Sequence, residues 1–132
     1  MTDKELALLA TEATKNSYSP YSEFKVGAAL LTKNGKLYTG CNIENAAFSP
    51  TVCAERVAFF KAISEGETEF SKIAVAGGKS GIITTATSPC GVCRQVMSEF
   101  CDGDFEILMV KEGNEFEKVL LKDLLPHSFS LE

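Results

Sequence analysis

Phe24-Lys-Val-Gly-Ala-Ala-Leu-Leu-Thr32, Asn34-Gly35 and Leu37-Tyr-Thr-Gly-Cys41 follow one another with single-residue gaps. Two apolar runs hinged on Asn-Gly are the strongest short signal for a β-hairpin, because both turn residues accept positive φ. Downstream, residues 42–52 read as a loop. Cys53 to about Glu65 is rich in Ala, Val, Phe and Ile and is closed by Gly66, which predicts a buried helix. Its start is expected at Ser49-Pro50, serine capping and proline filling the first turn. Lys72-Ile-Ala-Val-Ala-Gly77 reads as a short strand. Ser88-Pro89 repeats the cap-and-proline start and predicts a third helix to about Phe100, stopped before Asp102-Gly103.

The tail adds a strand at Phe105–Lys111, a turn at Glu112-Gly-Asn114, a weaker strand at Phe116–Leu120 and a short helical segment near Lys122–Leu125. Upstream, Thr2 and Glu5 form a capping-box pattern, with Leu6, Leu9, Ala10 and Ala13 at helical spacing behind it. That first helix should run to about Lys15, where Ser17-Tyr-Ser-Pro-Tyr-Ser22 breaks it. Helices alternating with strands imply a three-layer α/β/α sandwich around a mixed five-stranded sheet. At 132 residues, one domain spanning 1–132 is expected.

The composition, 45% hydrophobic and 23% charged, is that of an ordinary globular protein, and no stretch approaches the roughly 20 apolar residues of a membrane span. The opening Met-Thr-Asp-Lys-Glu-Leu lacks a basic region followed by an apolar block, so a cytoplasmic location is expected. A net charge of −5 and 13 scattered basic residues argue against a nucleic-acid partner and favour a small polar ligand. Five cysteines, an odd count, disfavour a disulfide scaffold and leave free thiols or metal ligands.

Cys90-Gly-Val-Cys93 places two thiols three positions apart at a helix start, close enough to hold one ion. Cys53, at another helix start, supplies a third. Helix N-termini favour thiolate over thiol, which prepares cysteines for a metal. Three protein ligands leave a position for water, the catalytic arrangement. A structural zinc wants a fourth ligand, for which Cys41, Cys101 or His127 would be the candidates. Glu55, on the same turn as Cys53, shifts the balance: in so apolar a segment a carboxylate beside the metal has a proton-transfer role to play. Three thiolates around a divalent cation carry a net −1, and Arg56 can donate to the sulfurs and offset it. Cys41 and Cys101 read as buried thiols, His127 as a surface or interface residue, and Glu99 and Asp102 as solvated charges.

Thr51-Val-Cys-Ala-Glu-Arg56 together with Ser88-Pro-Cys-Gly-Val-Cys-Arg-Gln95 resembles the two signature motifs of small, homotetrameric cytidine deaminases, a variant of the general zinc-deaminase signature. Phe24–Leu30, Asn42-Ile-Glu-Asn-Ala46 and Leu124-Leu-Pro-His-Ser-Phe129 resemble further segments of that family, so the likeness covers nearly the whole chain. It implies Zn²⁺ held by Cys53, Cys90 and Cys93, with Glu55 protonating ring nitrogen 3 and later the leaving ammonia. It implies Asn42 and Glu44 on the ribose 3′-hydroxyl, Phe24 against the pyrimidine and backbone contacts from Ala54. Phe129 would reach into a neighbouring subunit's site. Phe48 stands where many relatives have tyrosine, so a hydroxyl contact there is absent or replaced.

The resemblance therefore implies hydrolytic deamination of cytidine and deoxycytidine in pyrimidine salvage. Two rivals stand beside it. One is deamination of a cytosine nucleoside antibiotic; the other is a non-catalytic, zinc-stabilised binding module.

Overall fold

The computed structural model describes residues 1–131; Glu132, the last residue of the expected domain, lies outside them. Helix α1 (Asp3–Ala13) opens with the anticipated capping box, the Thr2 hydroxyl accepting from the Glu5 amide at 3.1 Å and Glu5 accepting from the Thr2 amide at 2.9 Å. A 3₁₀ turn at Thr14–Asn16 ends it. Strands β1 (Phe24–Thr32) and β2 (Leu37–Cys41) form the hairpin about Gly35, whose φ of 89° only glycine adopts freely. Then come α2 (Ala54–Ser64), β3 (Phe70–Lys79), α3 (Gly91–Phe100), β4 (Glu106–Lys111), a 3₁₀ turn at Glu112–Asn114, β5 (Glu115–Leu120) and the four-residue α4 (Leu121–Leu124).

The five strands lie in the order β2-β1-β3-β4-β5, antiparallel except for the β3–β4 pair, which registers Lys72 with Glu106 in parallel. A parallel neighbour needs a crossover, and α3 supplies it. Alternation along each strand feeds two cores. Ala29, Ala74, Ala76, Leu108 and Val110 pack against Leu6, Ala7 and Ala10 of α1. Ala28, Leu30, Ile73, Val75 and Ile107 face α2 and α3 through Ala58, Phe59, Ala62, Cys93 and Met97. This is the expected α/β/α sandwich. Phe59 anchors the second core, 4.9 Å from the Phe70 ring and 6.0 Å from that of Phe105.

Two glycines set how closely the layers approach. A Cβ on Gly27 would collide with the Ala10 carbonyl and the Thr14 amide of the α1 end, and one on Gly40 would meet the Ala54 carbonyl and the Ala58 amide of α2. Each helix backbone thus rests directly on the hairpin, on opposite faces.

Both central helices begin later than their Ser-Pro pairs suggest. Cys53 and Cys90 are themselves the N-caps, with extended backbones (φ −77°, ψ 155° and φ −70°, ψ 168°) and no side-chain cap. Val52 exchanges two backbone hydrogen bonds of 3.0 Å with Ile43, which holds the chain out of the helix until Cys53. The first helical bonds run from the Val57 amide to Cys53 and from the Arg94 amide to Cys90. Pro50 lies in a turn closed by the Thr51 amide on the Phe48 carbonyl, and Pro89 precedes the cap; neither is a first-turn residue.

Candidate metal centre and active site

Because the two caps are cysteines, the free amides of two first turns surround their thiols. Cys53 Sγ lies 3.5 Å from Cys90 Sγ, and Cys90 Sγ lies 3.5 Å from Cys93 Sγ. All three sulfurs lie within 4.8 Å of one another, and among the described residues no other trio of His, Cys, Asp or Glu gathers this way. Tetrahedral zinc with Zn–S bonds near 2.3 Å separates its thiolates by about 3.8 Å. Two of the three sulfur pairs already stand close to that spacing, so the residues fit Zn²⁺. Cys41 and Cys101 remain half-buried outside the cluster, and His127 is exposed.

Charge is managed within the cluster. A hydrogen bond from Cys93 draws the Cys53 thiol down to about 5, while the same pairing pushes Cys93 upward. Arg56 donates through Nη2 to Cys53 Sγ at 3.4 Å. Burial opposes its charge, but the cysteine partners hold the guanidinium protonated. It therefore turns to sulfur, not to Glu55 and not to solvent.

Glu55 is 3% exposed, and its Oε1 is buried without any hydrogen-bond partner. Burial lifts the carboxyl to about 7. A buried carboxylate oxygen without a partner is costly in a packed helix, and such atoms mark candidate sites of chemistry.

Phe24, Asn42, Glu44, Cys53, Glu55 and Cys90 line one cleft of about 250 Å³. The structure thus brings together six of the ten residues singled out in the sequence, with Cys93 and Arg56 bonded to the same thiols. Ala54 is fully buried at the start of α2. Phe129, 71% exposed, lies apart, beside Cys101, Leu121 and Leu125.

Further side chains escaped the sequence reading. Ser22 donates its hydroxyl to Glu44 Oε2, while the Tyr21 and Ser22 amides donate to Oε1 at 3.0 and 3.1 Å. Asn42 Oδ1 accepts from Ser17 Oγ and from the Val26 amide at 2.9 Å, and Nδ2 donates to the Phe24 carbonyl at 2.8 Å. Both Asn42 lone pairs are thereby used, leaving one N–H free, whereas Glu44 can only accept. The Ser17–Ser22 stretch, legible only as a helix breaker, is the cradle of this donor–acceptor pair. Thr87, hydrogen-bonded to the Gly77 carbonyl at 3.2 Å, completes the wall.

A sandwich that gathers three thiols at two helix starts beside a buried carboxylate defines a zinc-binding α/β protein. The sequence model for the cytidine and deoxycytidylate deaminase zinc-binding region matches residues 1–109. The cytidine deaminase of Sporosarcina psychrophila is 45% identical over 129 residues, covering 98% of this chain and 92% of that protein. A crystal structure of cytidine deaminase from Burkholderia pseudomallei matches with a TM-score of 0.88 at 41% identity, covering 98% of this chain and 100% of that one. Blasticidin-S deaminase of Bacillus cereus is more distant, 31% identical over 132 residues, or 97% of this chain and 92% of that protein. The chain belongs to the cytidine and deoxycytidylate deaminase family.

Proposed function

We propose that the chain catalyses hydrolysis of cytidine and deoxycytidine to uridine and deoxyuridine with release of ammonia, as a cytoplasmic enzyme of pyrimidine salvage. The observation that carries this reading is the partnerless Glu55 Oε1, buried beside three thiols in the cleft that Asn42 and Glu44 rim.

Cys53, Cys90 and Cys93 would hold the zinc, which when bound would supply a water of pKa roughly 7 as the nucleophile for carbon 4 of cytosine. Glu55 accepts the water's proton on Oε1 and delivers it to ring nitrogen 3; it then carries the second proton to the departing amino group. Arg56 offsets the thiolate charge that would otherwise blunt the metal. The free Asn42 N–H donates to a ribose hydroxyl whose own proton Glu44 accepts, and Phe24 flanks the base. The Ala54 backbone, at the α2 start, contacts the pyrimidine.

Residues 1–132 act as one domain on this reading, supported by the single sheet that both cores share. The assembly is a homotetramer in which the exposed Phe129 reaches a neighbour's cleft. Sedimentation would show four chains per particle.

A zinc assay and cytidine turnover on one purified sample test the whole. One zinc per chain with loss of cytidine absorbance and ammonia release is the expected result. Turnover confined to a cytosine nucleoside antibiotic would favour the blasticidin-type reading. Tight zinc without turnover on any cytosine nucleoside would leave a binding module.

A further inference from the structure

Arg94 follows the last thiol ligand, and its side chain bonds to none of the groups assigned above. It lies one turn into α3, and a helical side chain there leans back toward the N-terminus. Its guanidinium donates three hydrogen bonds of 2.7 Å: Nε to the Pro89 carbonyl, Nη2 to Ser88 Oγ and Nη1 to the Leu124 carbonyl. Two of these hold the pair of residues immediately before Cys90. The third holds the last residue of α4, from which the tail runs to Phe129. None of the partners is a carboxylate, and among the described residues Arg94 makes no ion pair.

The need for such a clamp follows from the local chain. Cys90 is exposed, caps α3 without a side-chain hydrogen bond and emerges from Gly81–Ser88, which has no regular structure. Within the first turn only the Arg94 amide on its carbonyl and the Cys93 thiol hold it. Fixing the Pro89 carbonyl fixes the peptide plane that carries the Cys90 amide, and so narrows the directions open to the thiol. A planar fork with five donors can bind three carbonyl or hydroxyl oxygens in a single orientation, which the lysine ammonium cannot do.

We propose that Arg94 is a positioning residue for the zinc site: it sets the Cys90 ligand through Ser88 and Pro89 and ties that setting to the C-terminal segment through Leu124. The inference rests on the three-thiol zinc reading and is independent of which nucleoside is the substrate.

The test compares the zinc-loaded parent with Arg94→Gln, Arg94→Lys and Ser88→Ala. Zinc transfer to a chromogenic chelator and the visible spectrum of the cobalt-substituted protein are measured beside thermal unfolding. Supporting groups behind metal ligands typically change affinity by roughly 10- to 100-fold. Zinc release from folded Arg94→Gln should quicken by about that range, with altered cobalt d–d bands. Arg94→Lys should fail to restore the parent behaviour, and Ser88→Ala should fall between. A simple strut between α3 and α4 would lower the melting temperature and leave the cobalt spectrum and the zinc release rate of every variant at parent values, and that result would overturn the proposal. If Arg94→Gln does not fold, the same two readouts on Arg94→Lys and Ser88→Ala decide. A parent chain that binds no zinc would overturn the metal reading and this inference together, whereas parent-like variants overturn the role of Arg94 alone.

Discussion

Arg56 Nη2 donates to Cys53 Sγ at 3.4 Å, although the adjacent residue in the chain is a buried carboxylate. Consecutive helical residues point about 100° apart, so Arg56 cannot pair with Glu55 and reaches back over one turn to the cap instead. The positive charge thus serves the thiols and leaves the carboxylate free. Arg56→Gln should lower zinc retention or turnover by roughly 10- to 100-fold. Zinc content after dialysis against chelator and the cytidine rate check this, and unchanged values for both remove Arg56 from the site.

Glu55→Ala tests the opposite division of labour. Glu55 is not among the clustered sulfur ligands, so zinc should stay at one per chain while turnover falls by roughly 10²- to 10⁴-fold, the usual contribution of a positioned acid–base group. Near-normal kcat in a zinc-replete variant would sink the proton-transfer role.

Ser22→Ala removes the hydroxyl that Glu44 accepts while keeping both backbone amides on its other oxygen. That hydrogen bond orients the carboxylate toward the cleft. The loss should appear as a higher KM for cytidine. Steady-state kinetics showing KM unchanged would separate the Ser22 cradle from substrate binding.

Asp3 ties α1 to the sheet. Its carboxylate lies 2.7 Å from Lys118 and 2.8 Å from Lys72, and hydrogen bonds from these lysines, Lys118 foremost, hold it below the ordinary carboxylate range. A depressed folded-state pKa means stability that is present above the unfolded value, near 4, and lost as the pH falls through the folded one. Asp3→Asn should therefore destabilise the chain by about 1 kcal/mol at pH 7 and by less below pH 4. Urea unfolding of both proteins at the two pH values reads the difference.

Gly40→Val would place a branched side chain where the Ala54 carbonyl and Ala58 amide lie. Overpacking of this kind costs about 1–3 kcal/mol. It would also push the α2 start, and with it Cys53, off the sheet. Lower melting temperature together with weaker zinc binding is the expected pair of results.

Legibility followed sequence distance. The hairpin about Asn34-Gly35 and the capping box at Thr2 and Glu5 are encoded within a few residues each, and they appear where short-range patterns place them. The two Ser-Pro starts gave way to contacts outside the helices themselves, the Val52–Ile43 backbone bridge and the Arg94 side-chain hydrogen bond to the Pro89 carbonyl. Local propensity names a cap, but a backbone bridge across the preceding loop can fix the chain's path first.

The sequence by itself determined the chemistry: three thiols with metal spacing, a glutamate in an apolar turn, an arginine beside it and a nearby asparagine and glutamate. Those depend on residue type and short spacing, which the chain carries explicitly. Tertiary structure alone decided which way each group faces. Burial left Glu55 Oε1 without a partner, Ser17 and the Val26 amide left Asn42 a donor, Ser22 oriented Glu44, and Arg94 closed on the loop before Cys90. Each is a contact between segments that only folding brings together, and a hydrogen bond's direction is set by what arrives opposite it.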